Sequence, residues 1–508
     1  MNRTWNAWRN ILWGIANKCI QLTAPFLLRT LIIYEIGIEY LGLDGLFISV
    51  LQVLNMAELG FSSAVVFSMY KPIAEGDKKS ICALLAFYRH VYHVIGFAVL
   101  ALGLLIMLFL PRLIAGHIPL DVNIYVLYSI YLLNTVIGYF LFSYRNSLLT
   151  AHQRNDIVSN LDSVLKIMQY TVQAVLVLIF KNYYAYIISL PFFTVLNNVL
   201  VQWITSRLYP EYICEGTVDH ELLADIKKRV SGLMIYRFCG ISRNGFDNMF
   251  LSAYLGLSVV AVYNNYFLIL TGIRSVMGVI STAVTASIGS SIAAESVDKN
   301  YKDFCLFNYL YMMLSGIFAV GLFVLYQPFM CVWLGEAYML PRSVVAAVCL
   351  YFYVLTMGDV RAIYNDAAGL WWEQRYRTLL EAAANVVLNF LFVQLWGVLG
   401  VVLASLTSLF FLGFMASAYI TFDSYFGHVR LWEYFSAQGR YAAGTIVSAG
   451  AAYAVCSMIP AAGIEGLFVK AVCCLAISLL GIFLLYGRST MFLLSRQFLS
   501  DSLSLLHK

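Results

Sequence analysis

Long apolar segments follow one another along almost the whole chain, and this pattern constrains the fold more than any other feature of the sequence. Inside a bilayer every backbone polar group must be paired within the protein, and a crossing helix needs about 20 apolar residues. The pattern therefore predicts an all-α polytopic membrane protein with about 14 transmembrane helices. The predicted spans are 9–33, 43–70, 81–110, 124–150, 157–180, 184–208, 230–254, 257–288, 303–331, 343–368, 377–396, 397–420, 441–460 and 464–486.

The composition agrees with a membrane protein. Hydrophobic residues make up 61% of the 508 residues and charged residues only 12%, which is too few to cover a soluble domain of this size. The net charge of +5 is small and indicates no nucleic-acid partner. The ten cysteines are scattered without metal or redox spacing, so we expect no metal site and no cofactor. The first span has no small-residue cleavage site, which predicts a retained helix and not a removed signal peptide.

The distribution of Lys and Arg predicts the orientation in the membrane. With the predicted spans, about 23 of the 32 basic residues lie on the side of the N-terminus, and about five lie on the opposite side. Basic residues in short connections are enriched on the cytoplasmic side of membrane proteins. We therefore expect both termini in the cytoplasm.

Three short matches in the same order, separated by about 214 to 221 residues, indicate an internal repeat of two six-helix lobes with the same orientation. The matched segments are Tyr40–Leu43 with Tyr254–Leu257, Ile73–Glu75 with Ile292–Glu295, and Gln153–Arg154 with Gln374–Arg375. Each copy of the first match stands just before a predicted span. The predicted organisation is an N-terminal lobe at 1–208, a cytoplasmic linker at 209–229, a C-terminal lobe at 230–420, and two additional membrane helices with an amphipathic tail at 421–508.

The connections between the spans carry no recognisable catalytic motif. No P-loop, nucleophile elbow, zinc spacing or Asp-x-Asp pair appears in them, and no outward-facing connection exceeds roughly 15 residues. A membrane glycosyltransferase, ligase or polymerase would need a larger face outside the bilayer or a group of carboxylates there. The sequence therefore favours transport over catalysis, and we expect no enzyme activity.

About ten ionisable residues lie inside predicted spans, where each would cost about 2.5–3.5 kcal/mol if it faced lipid. They are Arg29, Glu58, Arg237, Arg243, Asp247, Arg274, Asp359, Arg361, Asp366 and Glu381. Because the combined cost would reach tens of kcal/mol, most of them must face a partner or a wet cavity. Five are arginines and five are acids, so neighbouring acids must neutralise some of the arginines.

Three arginines in the seventh and eighth spans have two interpretations each. Arg243 and Asp247 are four residues apart and share a helix face, so they form either a structural salt bridge or a cation that exchanges Asp247 for an anionic substrate. Arg237 lies nearer the cytoplasmic end, where it either snorkels or lines a cavity. Arg274 shares a stripe with small residues, which either leave room around a substrate-binding guanidinium or pack tightly against another helix.

Other polar residues of the spans remain open in the same way. Two polar strips line either an aqueous route or a buried hydrogen-bond network, and they are Gln52, Asn55, Glu58 and Ser62, and Glu381, Asn385 and Asn389. Asp359, Arg361 and Asp366 lie in the cytoplasmic third of the tenth span, which favours a salt bridge at the membrane interface or at a gate. Arg29 lies toward the outer end of the first span, where it either binds in a cavity or snorkels outward.

Five short motifs are spread over most of the chain: Glu39–Leu43, Ala57–Phe61, Tyr70–Ala74, Asp247 ahead of Tyr254–Gly256, and Trp333–Gly335. Together they resemble bacterial oligosaccharide flippases of the polysaccharide-transport branch of the multidrug/oligosaccharidyl-lipid/polysaccharide exporter superfamily. The resemblance implies a monomer in the bacterial inner membrane, with two six-helix lobes around a cavity that opens alternately to cytoplasm and periplasm. It also implies a substrate, an oligosaccharide on undecaprenyl diphosphate that moves outward for surface polysaccharide biosynthesis, and polysaccharide polymerase machinery as a partner.

The residues and the resemblance point to the same binding groups. A diphosphate cannot cross about 30 Å of hydrocarbon unaided, and guanidinium groups suit phosphate oxygens better than ammonium does. The expected substrate-binding residues are Arg29, Arg237, Arg243, Arg274 and Arg361, and the expected groups for ion coupling or charge pairing are Glu58, Asp247 and Asp359. The alternative function is a cation-coupled multidrug exporter of the same superfamily, in which these acids would bind the coupling ion and the drug.

Overall fold

The computed structural model of the chain describes residues 23–58, 61–116, 118–219, 222–223, 226, 230, 245–459 and 463–506. Over these residues all regular elements are helices, which confirms the predicted all-α class. Nine of the described helices are long and apolar enough to cross a membrane, and a bent pair makes a tenth. The predicted spans 9–33 and 230–254 lie mostly outside the described residues, so the count of about 14 stays a prediction.

The chain divides into two compact units, Met1–Ala261 and Val262–Lys508. This division lies later in the chain than the linker predicted at 209–229. The described helices of the first unit are α1 (23–35), α2 (Ile38–Leu54), α3 (Phe61–Glu75), α4 (Lys78–Met107), α5 (Ile124–Phe140), α6 (Asn146–Ala151), α7 (Asn155–Phe180), α8 (Tyr183–Leu208), α9 (245–255) and the start of α10 (Leu257–Ala294).

In the first unit α8 packs against α5 and α7, and α4 packs against α3 and α5. The short helix α9 contacts α2, where Nδ2 of Asn248 donates a 2.9 Å hydrogen bond to Oγ of Ser49. Gly42 of α2 lets the start of α10 approach closely, because a Cβ there would lie 2.1 Å from the carbonyl oxygen of Leu257. These contacts explain why α9 and the first turn of α10 belong to the first unit.

The second unit contains the rest of α10 and nine further helices. They are α11 (Val297–Leu334), α12 (Arg342–Met357), α13 (Asp359–Ala367), α14 (Arg375–Trp396), α15 (Val398–Ser408), α16 (Ser417–Thr421), α17 (Val429–Ser457), α18 (Gly463–Tyr486) and α19 (Thr490–Leu506). A π-helical stretch, Leu409–Ala416, joins α15 to α16, and a second one, Phe422–Phe426, continues α16. Helix α11 packs against α12, α17 and α18, and α14 packs against α15.

The last two apolar helices pack closely on each other and on α11. A Cβ at Gly481 of α18 would lie 2.4 Å from Oγ of Ser448 on α17. Small residues at such positions let helices in a membrane approach and gain van der Waals contact. The helix pair predicted outside the repeat is therefore an integral part of the second unit.

Helix boundaries support the predicted repeat. Helix α4 begins at Lys78 and α11 begins at Val297, about 219 residues later. Each helix follows a residue whose side chain accepts hydrogen bonds from backbone N–H groups of the first turn, Asp77 in one case and Ser296 in the other. Such caps satisfy donors that have no partner within the helix. The same local chemistry thus starts a long helix at matching positions of both halves.

The structure changes the register of the first sequence match. Gly37 and Gly256, about 219 residues apart, have φ angles of 139° and 90° and stand directly before α2 and α10. Tyr40–Leu43 lies inside α2 and not before it, whereas Tyr254–Leu257 spans the start of α10. The two glycines therefore mark the equivalent positions, and the four-residue match is displaced by about five residues.

Several predicted spans differ from the observed helices in detail. The predicted span 43–70 is interrupted, because α2 ends at Leu54 and a 3₁₀ turn, Asn55–Glu58, follows it. The segment predicted as a polar connection, 421–440, is largely helical, since α17 already begins at Val429. The tail is helical as predicted. Its position at the membrane surface stays a prediction.

Candidate functional site

The structure describes six of the eight residues predicted for the site. Arg29, Glu58 and Asp247 belong to the first unit, and Arg274, Asp359 and Arg361 belong to the second. Arg237 and Arg243 lie outside the described residues, and with them the predicted pair of Arg243 and Asp247.

Arg274 of α10 forms an ion pair with Asp359, the first residue of α13. Nη1 of Arg274 donates to Oδ2 of Asp359, and the hydroxyl of Tyr311 on α11 donates to the same oxygen over 2.6 Å. The side chains of Arg274 and Asp359 remain 28% and 19% exposed. Each charge has a partner, yet both remain accessible from outside the core of the unit.

Asp359 lies at a one-residue interruption of the predicted tenth span, which the structure keeps as one span, Arg342–Ala367. Helix α12 ends at Met357 and α13 begins at Asp359, with only Gly358 between them. The carbonyl oxygen of Met357 accepts hydrogen bonds from the hydroxyl of Tyr434 at 2.9 Å and from the amide of Gln438 at 3.2 Å, so α17 stabilises the interruption.

Arg361, in the same turn of α13, donates into the interior of the second unit. Its Nη1 donates to the hydroxyls of Ser417 and Thr421, and its Nη2 donates to the carbonyl oxygen of Gly413 at 3.1 Å. Gly413 lies in the π-helical stretch after α15. Arg361 is only 4% exposed. Its guanidinium is thus occupied by contacts between α13 and the last helix of the repeat.

The third charge of this segment, Asp366, accepts a 2.9 Å hydrogen bond from Nε1 of Trp371. The three residues predicted as an interface or gate salt bridge therefore have different hydrogen-bond partners. Asp359 forms its ion pair with Arg274 of α10.

A second ion pair of this unit joins Arg377 and Glu381 along one face of α14. Nη1 of Arg377 lies 2.5 Å from Oε2 of Glu381, and the two side chains are only 11% and 3% exposed. One turn further on, Asn385 donates to the hydroxyls of Ser405 and Ser408 on α15 at 3.0 and 3.3 Å. The predicted polar strip on α14 is therefore a buried hydrogen-bond network and not an aqueous route.

Glu58 of the first unit is bound by tyrosines. It ends the 3₁₀ turn after α2, where the hydroxyls of Tyr92 on α4 and Tyr139 on α5 donate to its carboxylate, the latter over 2.9 Å. Tyr88 donates in turn to the hydroxyl of Tyr92 at 2.9 Å. Because α2 ends at Leu54, the predicted polar strip does not continue along one helix face. A carboxylate held by neutral hydroxyls can still take up a proton or a monovalent cation.

Asp44 is a buried carboxylate that sequence reasoning missed. The hydroxyl of Tyr131 donates to it, and this hydroxyl lies 3.1 Å from that of Tyr183. Arg29 of α1 interacts electrostatically with Asp44. The predicted span begins at residue 43, so Asp44 lies at the edge of that span. The helix begins at Ile38, which places Asp44 well inside it.

Asp247 is buried on α9 and takes part in a polar interaction. The next residue, Asn248, holds α9 against α2 through its hydrogen bond to Ser49. The role predicted for Asp247, ion coupling or charge pairing, stays a prediction.

The arrangement can bind ions but shows no metal centre. In the part of the chain that the structure describes, no three His, Cys, Asp or Glu side chains form a group that could hold a metal ion. Arg274 combines partial exposure with an acidic partner on another helix. An anionic ligand can take the place of Asp359, because a guanidinium binds phosphate oxygens with the same geometry as carboxylate oxygens.

The fold is similar to that of solved transporters. An inward-facing multidrug resistance MATE family transporter of the MOP superfamily matches with a TM-score of 0.63 and 14% identity, covering 82% of this chain and 96% of its own. The lipid II flippase MurJ in an inward closed conformation matches with a TM-score of 0.66 and 15% identity, covering 94% of this chain and 99% of its own. No family model and no curated protein sequence matches the chain.

The chain therefore has the fold of these two solved transporters. Together with the long apolar helices, this similarity confirms the predicted all-α, multi-pass membrane fold. At 14% and 15% identity the similarity concerns the fold alone. The oligosaccharide branch and its substrate therefore stay predictions.

Proposed function

We propose that the protein is a flippase that moves undecaprenyl-diphosphate-linked oligosaccharide repeat units to the outer leaflet for surface polysaccharide biosynthesis. The observation that carries this proposal is Arg274, a partly exposed guanidinium within a membrane-spanning helix of a transporter fold. The substrate diphosphate is a strong acceptor for such a group. The lipid II flippase matches 94% of this chain and the multidrug transporter matches 82%. The longer match to a flippase also supports the proposal.

In this proposal Arg274 changes its partner during transport. Asp359 and Tyr311 hold the empty site, and the diphosphate displaces the carboxylate when substrate enters. Arg29, Arg237 and Arg243 remain candidates for further contacts to the diphosphate and adjacent sugars. We assign Arg361 a packing role, because Ser417, Thr421 and Gly413 bind its two terminal nitrogens, Nη1 and Nη2, and it is almost fully buried.

The transport cycle follows from the proposed class. The protein would act as a monomer in the bacterial inner membrane with both termini in the cytoplasm, and it would pass its product to polysaccharide polymerase machinery. It would carry out alternating access without catalysing a reaction. Glu58, Asp247 and Asp359 are the groups through which an ion or a substrate could bias the two states, because a ligand shifts an equilibrium only by binding one state more tightly.

The alternative is a cation-coupled multidrug exporter. The two tyrosine-bound carboxylates of the first unit, the buried Asp44 and the partly buried Glu58, favour it, because such acids suit protons and organic cations. The two functions differ in the residue that meets the substrate. The flippase requires Arg274, whereas the exporter requires a carboxylate.

The test is polysaccharide output in a strain that lacks the gene and carries R274A, R274K or the wild-type protein at equal membrane levels. We expect R274A to reduce output about tenfold or more and R274K to retain part of it. R440A is a matched control, because Arg440 is exposed on α17 and lies outside the proposed site. Normal output from R274A would contradict the role of Arg274. Normal output from the deletion strain, together with lost efflux of cationic dyes, would favour the exporter.

A further inference from the structure

A cavity of about 710 Å³ opens in the second unit between α11, α12, α17 and α18. Its walls are mostly apolar, with Phe323, Val345 and Tyr453 among them. Val324 and Cys456 also line it, and both belong to the buried cluster that joins α11, α17 and α18. The floor of the cavity is thus part of the packed core, and its volume falls within the range of ligand sites, roughly 300–1,000 Å³.

The charges that line this cavity are both positive. Arg342, the first residue of α12, and Lys470 of α18 border it, and its lining contains neither Asp nor Glu. Within the part of the chain that the structure describes, neither cation has an acidic partner within 4 Å. The two residues come from different helices, so the fold brings their charges to one opening.

Two other polar side chains of the lining form hydrogen bonds within the unit. The amide of Gln327 donates to the carbonyl oxygen of Leu340 at 2.6 Å and accepts from the hydroxyl of Tyr266 at 3.0 Å. The hydroxyl of Ser457 donates to the carbonyl oxygen of Ala454 at 2.8 Å. The two cations are therefore the groups of this lining that call for a counter-charge from a ligand.

The position of Lys470 indicates what kind of ligand supplies that charge. It lies within the span Gly463–Tyr486, one of the most apolar of the chain. An ammonium group within a span is costly unless it reaches the interface or meets an anion. Basic pockets between transmembrane helices bind the headgroups of anionic lipids. A ligand with a phosphate and an alkyl chain satisfies both the cations and the apolar wall.

We propose that this cavity binds an anionic phospholipid of the bilayer. Its headgroup phosphate lies on Arg342 and Lys470, and one acyl chain lies along the wall formed by α11 and α17. A zwitterionic phospholipid brings the same chain but places its own cation beside the two of the protein. Free phosphate gains nothing from the apolar wall. The site is independent of the transported substrate, so it holds for a flippase and for an exporter alike.

The first test is native mass spectrometry of the full-length protein with phosphatidylglycerol, phosphatidylcholine, undecaprenyl diphosphate or inorganic phosphate. We expect the wild type to retain phosphatidylglycerol in preference to phosphatidylcholine, and R342Q/K470Q to weaken this binding about tenfold or more. K302Q/R440Q removes two exposed positive charges from the same unit outside the cavity and should bind as the wild type does. A346W fills the cavity without changing charge and should also weaken binding.

The second test leaves both cations in place. Cys331 lines the cavity, so a variant that retains only this cysteine of the ten reports its occupancy through the rate of maleimide labelling. We expect vesicles of phosphatidylcholine with phosphatidylglycerol to slow labelling relative to pure phosphatidylcholine vesicles. This readout remains decisive if the double variant fails to fold.

Three outcomes would overturn the proposal. Equal retention of the two phospholipids, or equal loss in R342Q/K470Q and its control, would remove the role of the two cations. Protection of Cys331 by inorganic phosphate alone would show a site for a free anion. Binding of undecaprenyl diphosphate here, without binding of phosphatidylglycerol, would assign the cavity to that lipid instead.

Discussion

The second unit contains two ion pairs of the same chemistry in different settings. Arg274 and Asp359 belong to separate helices, and their side chains are 28% and 19% exposed. Arg377 and Glu381 both lie on α14, and their side chains are 11% and 3% exposed. The first pair includes Asp359, which directly follows the interruption at Gly358. The second pair has regular i, i+4 spacing. Charge inside a membrane span is therefore not by itself evidence of a binding site. Partial exposure and a partner on another element distinguish the exchangeable pair.

The two settings have different energetic consequences. Removing one partner from a buried pair leaves an uncompensated charge and costs about 3–5 kcal/mol. Fully exposed pairs contribute about 0–1 kcal/mol, and the partly exposed pair of Arg274 and Asp359 lies between these two cases. The comparison therefore predicts opposite effects on stability and transport for the two pairs.

The largest effect on stability should follow from E381A. It leaves Arg377 buried without its carboxylate, and we expect a loss of about 3–5 kcal/mol in the free energy of unfolding. The measurement is denaturant unfolding of the purified protein in detergent. E295A is the control, since Glu295 pairs with Lys299 at an exposed position, and it should cost less than about 1 kcal/mol. Equal losses in both variants would contradict the distinction between buried and exposed ion pairs.

Replacing both Arg377 and Glu381 should restore most of the stability that E381A loses. R377M/E381L fills a similar volume with apolar atoms and leaves no unpaired charge, so we expect stability within about 1 kcal/mol of the wild type or above it. The same unfolding experiment measures it, together with polysaccharide output, which should stay near normal. If the double variant is stable but polysaccharide output is lost, the pair of Arg377 and Glu381 takes part directly in transport.

Exchanging Arg274 and Asp359 should separate the effect on stability from the effect on transport. R274D/D359R keeps an ion pair between α10 and α13, so we expect a smaller loss of unfolding free energy than the loss of about 3–5 kcal/mol in E381A, which leaves a buried charge unpaired. Output should nevertheless fall about tenfold, as for R274A, because the guanidinium leaves its helix position. Output close to normal from the exchanged pair would mean that pairing, and not the position of the arginine, is what transport needs.

The smallest effect should follow from Y311F. It removes one neutral hydrogen bond to Asp359, which is worth about 0.5–1.5 kcal/mol, and leaves the ion pair in place. We expect a two- to threefold change in output, about 0.5 kcal/mol when converted. Y309F is the control on the same helix. A loss as large as that of R274A would make the hydroxyl itself a substrate contact.

The sequence predicted the membrane class and most of the described span positions, because hydrophobic length is a local property. It did not predict the interruption at Gly358, since Tyr434 and Gln438, which bind the carbonyl oxygen of Met357, lie 77 and 81 residues further along the chain. Arg274 and Arg361 look alike in the sequence, yet one is partly exposed and the other is buried beneath Ser417 and Thr421.

The tyrosines show a second limit of sequence reasoning. Tyr92, Tyr131 and Tyr139 lie in long apolar segments, where an aromatic residue reads as packing or as an interface anchor. In the structure their hydroxyls bind Glu58 and Asp44. The pairing depends on contacts between α2, α4 and α5, which no local pattern encodes. Such carboxylates can be predicted as charged but not as tyrosine-bound.

The central claim is that Arg274 exchanges Asp359 for a diphosphate. The most direct measurement is the affinity of the purified full-length protein for undecaprenyl diphosphate in the wild type, R274A and D359N. We predict that R274A binds about tenfold more weakly and that D359N binds more tightly, because the competing carboxylate has lost its charge. Unchanged affinity in R274A, or a loss in D359N as large as that in R274A, would contradict the account.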